Sequence, residues 1–162
     1  MSSTTTIRVA RYEDVPVLGK YGTDLIALHH QWDPKRFIPT GPDTEASYAR
    51  WLRSQLDKPD VVVLAAERDE MIVGYAYASL EGYDYMSLRG PAGVIHDLFV
   101  DTDERNQGIG RMLLDAVVAE VQGRGAELIV LSTGHRNKAA QRLFAAAGFR
   151  PTMLEMTLNG KG

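Results

Sequence analysis

The sequence predicts a single α/β domain over residues 1–162, in which a mixed, mostly antiparallel sheet carries helices on both faces. The length is sufficient for one hydrophobic core, and 44% hydrophobic and 24% charged residues form an ordinary globular balance. The spacing of the apolar residues predicts the order strand, two helices, three antiparallel strands, helix, strand, helix and strand.

The N-terminal part is expected to hold one short strand and two helices. The strand is predicted at residues 7–10, and Asp14 is expected to cap the next helix by accepting hydrogen bonds from its first amide groups. The segment 32–42 is predicted to be a loop, because it contains three prolines and a glycine. The second helix is predicted at residues 44–56.

The middle of the chain predicts a β-hairpin and a third neighbouring strand. Residues 61–66 and 71–80 are β-rich runs on either side of a charged turn. After an irregular connection, residues 94–100 predict the next strand, and residues 108–124 predict an amphipathic helix.

The C-terminal part predicts a buried strand at 128–132, a helix at 137–147 and a closing strand at 149–158. Gly148 stands where a left-handed residue commonly ends a helix.

Composition excludes several classes of function. The net charge of -3 argues against general attraction to nucleic acid or to an anionic membrane. The absence of cysteine excludes disulfides, thiolate metal sites and cysteine nucleophiles. No apolar stretch approaches the roughly 20 residues of a membrane span, and residues 1–6 lack the pattern of a secretory signal, so a cytoplasmic location is expected.

The turn after the strand at 94–100 has the character of an anion-binding site. Gly108 and Gly110 open a helix whose first amide groups are free, and they let a pyrophosphate approach the backbone. Arg105 and Arg111 add positive charge nearby. The alternative is an ordinary strand-to-helix connection. Leu113 occupies the third glycine position of the dinucleotide-binding fingerprint, and no Gly-Lys-Ser/Thr follows, so neither of those phosphate motifs is present.

Two motifs resemble those of one family. Arg105-x-x-Gly108-x-Gly110, directly after a strand, resembles motif A of the GNAT superfamily of acyl-CoA-dependent N-acyltransferases. Asn137-x-x-Ala140-x-x-x-Phe144-x-x-x-Gly148-Phe149 resembles its downstream signature. The resemblance covers most of the chain in element order and residues 94–149 in motif detail.

The resemblance implies acetyl-CoA as co-substrate, and no metal is expected. It implies that the strands at 94–100 and 128–132 splay apart as a parallel pair and form the CoA cleft, with the pantetheine arm on exposed backbone. The residues that it implies for binding acetyl-CoA are Leu98, Phe99, Val100, Arg105, Asn106, Gln107, Gly108, Ile109, Gly110, Arg111, Asn137, Ala140 and Phe144.

In this family a neutral amine attacks the thioester, so a base must take a proton from the amine. His96 is the first candidate base, because histidine titrates near neutral pH and several members carry a basic residue at this position. Alternation along the strand is expected to place His96 on one side with Leu98, and Asp97 on the other. Asp97 is the reserve candidate, and the favoured interpretation of its side chain is a bond to a neighbouring strand or loop, or to the acceptor amine. The alternative for His96 is a structural histidine beside the core.

Phe144 departs from the family pattern. A tyrosine often stands there to protonate the leaving thiolate, and phenylalanine cannot do so. Water could supply that proton, as could Tyr83, Tyr85, Ser132 or His135 if the fold brings one of them close. A slower enzyme is therefore expected, rather than an inactive one.

The acceptor pocket is expected from two segments. His29 and Trp32 lie at the end of the first helix, and Tyr83 and Tyr85 lie in the connection before the strand at 94–100, near Glu81. An aromatic and acidic lining suits a cationic amine. A solvated loop with tyrosines packed on the sheet is an equally good interpretation of the second segment. The two histidines 29 and 30 have too little carboxylate support for a metal site.

These patterns predict an N-acetyltransferase that transfers an acetyl group to a primary amine of a small molecule. Two alternatives remain at this stage: an acyl-CoA-binding sensor with lost catalysis, and a protein or peptide N-acetyltransferase. No nucleic-acid or membrane partner is expected, and family habit allows a homodimer. The identity of the amine, the acyl chain length and the oligomeric state are not readable from the sequence.

Overall fold

The computed structural model describes residues 3–160 as a five-stranded sheet with four helices. The strands are β1 Thr5–Val9, β2 Val61–Arg68, β3 Met71–Glu81, β4 Ala92–Val100 and β5 Ile129–Leu131. The helices are α1 Val15–Trp32, α2 Thr44–Gln55, α3 Ile109–Gly123 and α4 Lys138–Ala146. None of the helices in this part of the chain is long and apolar enough to cross a membrane.

The sheet has the order β1-β2-β3-β4-β5. The first three pairings are antiparallel, and only β4 and β5 run parallel. Two helices and their loop intervene between β1 and β2, whereas β2 and β3 form the expected hairpin. The predicted mixed, mostly antiparallel sheet is therefore confirmed.

Each face of the sheet is covered by its own apolar cluster. On one face, which we call the α3 face, Leu113, Val117 and Val121 of α3 pack on the sheet with no exposed surface. On the other, the α1/α2 face, the buried cluster holds Leu18 of α1 and Leu52 of α2 together with aromatic residues of the sheet. Helices on both faces are thus confirmed.

Two glycines allow α1 and α2 to approach closely. A Cβ atom on Gly19 would lie 2.7 Å from the Cβ of Ala49, and one on Gly22 would overlap the ring of Tyr48. Real carbon atoms do not pack at such separations. The absence of side chains at these positions therefore sets how far Tyr48 reaches across the sheet.

The role predicted for Asp14 is wrong. Asp14 precedes α1, but its side chain makes no capping bond to that helix. Its carboxylate instead accepts hydrogen bonds from the guanidinium of Arg8, at 2.8 and 3.0 Å, and from the amide of Arg11, at 2.7 Å. The buried aspartate is a better partner for the strand arginine than for the helix, since an unpaired buried charge is costly.

The closing strand predicted at 149–158 is also wrong. Residues 149–160 form no strand, and Met153, Leu154, Met156 and Leu158 are exposed. Polar contacts hold this tail against the connection between α1 and α2: Arg36 pairs with Glu155 at 2.6 Å, and the Asn159 amide donates to the carbonyl of Lys35 at 2.9 Å. The predicted left-handed cap at Gly148 is confirmed by its φ of 97°.

Replacement of Gly22 by alanine is expected to destabilise the fold. The added methyl group overlaps Tyr48, and overpacking of this kind costs about 1–3 kcal/mol. The measurement is the urea midpoint with an unchanged m-value. Gly123→Ala is the matched control, because a Cβ at this helical glycine meets nothing within 4 Å. Equal midpoints for wild type and Gly22→Ala would contradict the close helix packing.

Candidate active site

The parallel strands β4 and β5 pair over a very short length. The pairing begins at Gly93 with Ile129 and ends at Ile95 with Leu131, although β4 continues to Val100. Residues 96–100 therefore have β3 on one side and no strand partner on the other within residues 3–160. The result is an open strand edge about 13 Å long, at a rise of about 3.3 Å per residue.

A β-bulge stands where the two strands separate. Tyr77 of β3 pairs with Asp97, but the next residue of β3, Ala78, pairs with Ile95. His96 is thus the extra residue of β4. The separation of the strands and the irregularity of β4 coincide at one position.

The bulge overturns the side-chain alternation predicted for β4. Ile95 lies in the α3-face cluster with Leu98, whereas alternation had placed these two on opposite sides. The His96 ring lies 5.1 Å from the ring of Tyr77, a member of the α1/α2-face cluster. Asp97 also contacts that face, so His96 and Asp97 lie on one side of the sheet. One inserted residue shifts the alternation, because the side-chain period of a strand is two.

Polar groups at the end of β3 hold the imidazole of His96. Its Nε2 lies 2.8 Å from Oγ of Ser79 and 3.2 Å from Oε2 of Glu81, and its side chain is 39% exposed. Ser79 donates a hydrogen bond to Glu81 at 2.7 Å, and Arg89 pairs with the other carboxylate oxygen at 3.0 Å. Both of these contacts are made by Nε2. The other ring nitrogen, Nδ1, has no hydrogen-bond partner among the described residues.

The carboxylate of Glu81 is ionised at neutral pH. Partial burial by itself raises the pKa of Glu81, but the hydrogen bond from Ser79 and charge interactions with His96 and Arg89 outweigh it. The pKa of Glu81 therefore lies below its ordinary value. A negative charge therefore stands 3.2 Å from Nε2 of His96.

Asp97 contacts two tyrosine hydroxyls. Its Oδ2 accepts a hydrogen bond from Tyr75 of β3 at 2.8 Å and another, very short one from Tyr48 of α2. Burial, followed by the charge of Asp97, raises the pKa of both Tyr48 and Tyr75. The two hydroxyls therefore stay protonated at neutral pH and act as donors.

A row of neighbouring aromatic rings lies on the α1/α2 face. It begins at Tyr48, which contacts Asp97, and ends at His96. Ring centroids lie 5.8 Å apart between Tyr48 and Trp51, 5.3 Å between Trp51 and Tyr77, and 5.1 Å between Tyr77 and His96. We call Tyr48, Trp51, Tyr77 and His96 the aromatic wall. Trp51 is 45% exposed, so the wall presents apolar ring surface to solvent beside two carboxylates.

Sequence reasoning missed most of this wall. Tyr75 and Tyr77 stand two apart in a strand, and Tyr48 and Trp51 stand three apart in a helix, which are the spacings of side chains on one face. Those signals were available. Which face of the sheet α2 covers is set by tertiary packing, so the two pairs could not be joined from the sequence.

The turn before α3 has open space at its glycines. Gly108 has a φ of 79°, and a Cβ at this position would meet nothing within 4 Å. A Cβ on Gly110 would lie in ordinary contact, 3.5 Å from Leu143 and 3.8 Å from Val100. Gly108 is exposed and has no neighbouring side chain at its Cβ position, so the start of the helix is accessible to an anion there. Asn106 also has a positive φ, of 65°.

The predicted arginines and neighbouring polar residues of this turn are engaged locally. The Nε of Arg105 donates to the carbonyl of Val100 at 3.0 Å, and its guanidinium lies 5.3 Å from the ring centroid of Phe99. Arg111 pairs with Asp115 at 2.9 Å, and Gln107 bonds to Glu104 at 3.3 Å. The side chain of Ile109 is buried in the α3-face cluster, so only its backbone faces the turn.

The downstream motif forms the start of α4. The Oδ1 of Asn137 accepts a hydrogen bond from the amide of Ala140 at 3.2 Å and thus caps the helix. Phe144 packs on Phe149, with ring centroids 6.0 Å apart, and on the α3-face cluster. Its side chain has an apolar packing role and offers no proton.

Among the described residues, no hydrogen bond, ion pair or ring contact joins the two expected acceptor segments. His29 and Trp32 pack edge to face at 5.1 Å, and a Cβ at Gly134, in the connection from β5 to α4, would lie 3.3 Å from His29. Tyr83 and Tyr85 are 72% and 79% exposed, and their rings stack 6.4 Å apart. Within residues 3–160 no group of three or more acidic or histidine side chains is arranged to hold a metal ion.

Comparisons with known proteins agree with this geometry. The model of the acetyltransferase (GNAT) family matches residues 25–149. The phosphinothricin N-acetyltransferase of Alcaligenes faecalis is 31% identical over 146 residues, which cover 89% of this chain and 69% of that protein. A mycothiol acetyltransferase of Thermobispora bispora is 36% identical over 88 residues, or 52% of this chain, and this match spans only 28% of the relative's length.

A solved structure shows the same fold. The aminoglycoside N-acetyltransferase AAC(6')-Iy in complex with CoA superimposes with a TM-score of 0.76 at 18% identity, covering 100% of this chain and 98% of that one. The family match covers well over half of the sequence and includes both motifs and the split strands. The chain belongs to the GNAT family of acetyltransferases.

Proposed function

We propose that this chain is an acetyl-CoA-dependent N-acetyltransferase that acts on a primary amine of a small molecule. The observation that carries the proposal is the open edge of β4, which has His96 at one end and the glycine turn of α3 at the other. Relatives named as N-acetyltransferases of phosphinothricin and of aminoglycosides support the reaction class.

The residues at both ends of the open edge fit acetyl-CoA. The amide groups that start α3 suit the pyrophosphate, because Gly108 leaves the helix end uncovered. The backbone groups of residues 96–99 that lack a strand partner suit the amide groups of the pantetheine arm, as an added strand would. A structural neighbour with this fold was solved with CoA. Acetyl-CoA supplies the acetyl group as a thioester when it is bound.

His96 is the proposed general base. An aliphatic amine is mostly an ammonium ion at neutral pH, since its pKa is close to the lysine value of about 10.4. The Nδ1 of His96 takes one proton from that ammonium, and Glu81 at Nε2 stabilises the resulting imidazolium. The new N–C bond forms as the C–S bond breaks, the sulfur leaves as a thiolate, and the second proton that the nitrogen loses passes to water.

The departing thiolate obtains its proton from water in this proposal. The tyrosine that often serves this purpose in the family is replaced by Phe144, which is packed against Phe149. With a cysteine-like thiol pKa of about 8.5, departure at pH 7 costs roughly 2 kcal/mol without an acid. This cost slows the reaction without preventing it.

The acceptor is proposed to bind on the α1/α2 face, in front of the aromatic wall. His96 and Asp97 both lie on that face because of the bulge, and Trp51 provides exposed ring surface beside them. The exposed pair Tyr83 and Tyr85 belongs to the connection that Arg89 ties to Glu81, close to the same site. His29 and Trp32 border the connection after β5 and form the proposed far side of the pocket.

A sensor that binds acyl-CoA without turnover is the second candidate function. The observation that favours it is Phe144, which removes the usual acid. The two functions are separated by following thiol release from acetyl-CoA with a panel of primary amines. Release with at least one amine, above the rate of spontaneous hydrolysis, is expected. Calorimetric binding of CoA with no release for any amine would identify the sensor.

Substitutions at the glycine turn are expected to weaken CoA binding. Valine at position 108 or 110 places a branched side chain over the first amide groups of α3 and crowds the pyrophosphate. The dissociation constant measured by calorimetry is expected to rise by at least about tenfold, which is 1.4 kcal/mol. Valine at 108 also strains a left-handed residue, and valine at 110 extends from a Cβ that lies 3.5 Å from Leu143, so the urea midpoint of each variant is measured as well.

Gly123→Val, at the other end of the same helix, is the matched control for this experiment. Its Cβ meets nothing within 4 Å, so the CoA affinity should equal that of the wild type. An unchanged affinity in both Gly108→Val and Gly110→Val would reject this position for the pyrophosphate.

Replacement of His96 by alanine is expected to abolish the rise of kcat/KM with pH that a histidine base produces. A base acts only when unprotonated, so the wild-type kcat/KM rises with pH through the range in which histidine loses its proton. His96→Ala should lower the rate by about a hundredfold to ten-thousandfold and flatten that rise. A pH–rate profile of the same shape in the variant would show that His96 is structural.

A further inference from the structure

The carboxylate of Asp97 has one occupied oxygen and one free oxygen. Its Oδ2 receives the hydroxyls of Tyr48 and Tyr75. Its Oδ1 accepts no hydrogen bond from the described residues. Asp97 is half-buried, and no buried side-chain oxygen of a non-exposed residue lacks a partner in this part of the chain. The Oδ1 atom therefore faces solvent, on the side of the sheet where His96 lies.

The orientation of this carboxylate is fixed by elements on two sides. Tyr75 stands at the centre of β3 with no exposed surface. Tyr48 is pressed against α1 at Gly22, and its hydroxyl lies 3.1 Å from that of Tyr75. Because both hydroxyls donate to the same atom, the carboxylate is held on that side and its second oxygen is left without a donor from the tyrosines. The free oxygen is thus held in one direction before any ligand arrives.

The surroundings of the free oxygen favour a positive charge. The rings of Trp51 and Tyr77 connect Tyr48, which contacts Asp97, to His96, which contacts Glu81, and the face of an aromatic ring attracts cations. Glu81 already has partners on both oxygens, namely Arg89 on one and Ser79 with His96 on the other. Asp97 is therefore the carboxylate beside the aromatic wall that retains an open position.

We infer that Asp97 anchors the ammonium group of the acceptor through its Oδ1, so that the acceptors of this chain are organic cations with an apolar or aromatic body. The inference rests on the proposed function and specifies its substrate class. Asp97 and His96 are consecutive at the bulge, with Cα atoms about 3.8 Å apart. An ammonium bound at Oδ1 lies beside the imidazole that removes its proton. Asp97 binds and orients the amine and does not take the proton.

The anchor can be tested by binding, without turnover. Benzylamine, a cation at neutral pH, and benzyl alcohol, its uncharged counterpart, are titrated into the full chain while NMR follows the side-chain signals of His96 and Trp51. Benzylamine is expected to bind at least about tenfold more tightly, as a hydrogen bond to a charged partner predicts. Asp97→Asn keeps an acceptor for both tyrosines, and it should reduce this preference to about twofold or less.

Two further variants make the test specific to Asp97. Glu81→Gln removes the neighbouring carboxylate and should leave most of the preference for benzylamine intact. Tyr48→Phe removes one of the two donors that orient Asp97, and it should weaken benzylamine binding by less than Asp97→Asn does. Circular dichroism and the urea midpoint show whether each variant remains folded.

Several results would overturn the anchor. They are the absence of any benzylamine shift at His96 and Trp51, equal affinities for the two probes in the wild type, or a preference lost in Glu81→Gln and kept in Asp97→Asn. Failure of the proposed function is seen in a different experiment, as the absence of thiol release with every amine. Where turnover occurs, the anchor also requires that Asp97→Asn raise KM for amines and leave the pH limb in place, since His96 still takes the proton.

Discussion

The separation of β4 from β5 after Ile95 is the constraint on which the rest of the site depends. A continuous parallel pair would satisfy the backbone groups of residues 96–100 within the sheet. Their open edge provides the hydrogen-bonding groups that an extended ligand requires. The bulge at His96 coincides with the separation and turns two consecutive polar side chains toward the same face. One local irregularity therefore accounts for both the proposed cofactor side and the proposed acceptor side of the cleft.

Much of the fold could be predicted from the sequence because its elements carry strong local signals. The glycine turn before α3 and the apolar stripe of that helix gave its position to within one residue at either end. The closing strand failed for a different reason. Its residues have strand-like composition, but a strand requires a partner edge, and here Glu155 and Asn159 hold the segment beside the loop after α1. Composition reports the preference of a segment, whereas pairing is a property of the whole molecule.

The candidate site was predicted only in part, for similar physical reasons. His96 and Asp97 were identified from their residue types, yet their orientation was wrong, because a bulge is a change of hydrogen-bond register that leaves no mark in residue spacing. Tyr48 reaches Asp97 from a helix 49 residues away in the sequence. That contact depends on the packing of α1 on α2 through Gly19 and Gly22, and no periodicity reveals which helices will touch.

Gly19 and Gly22 also matter when a functional role assigned to a residue in one relative is transferred to another relative. The distance between α1 and α2 decides whether an aromatic hydroxyl on α2 arrives at the strand, and α1 itself need not contact any ligand. Two homologues with identical residues along β4 can therefore differ in which amine they accept, if one of them has a larger residue at the position of Gly22. An alignment restricted to the strand and turn motifs would miss that difference, so a comparison of acceptor preference within this family has to include the spacing of its first two helices.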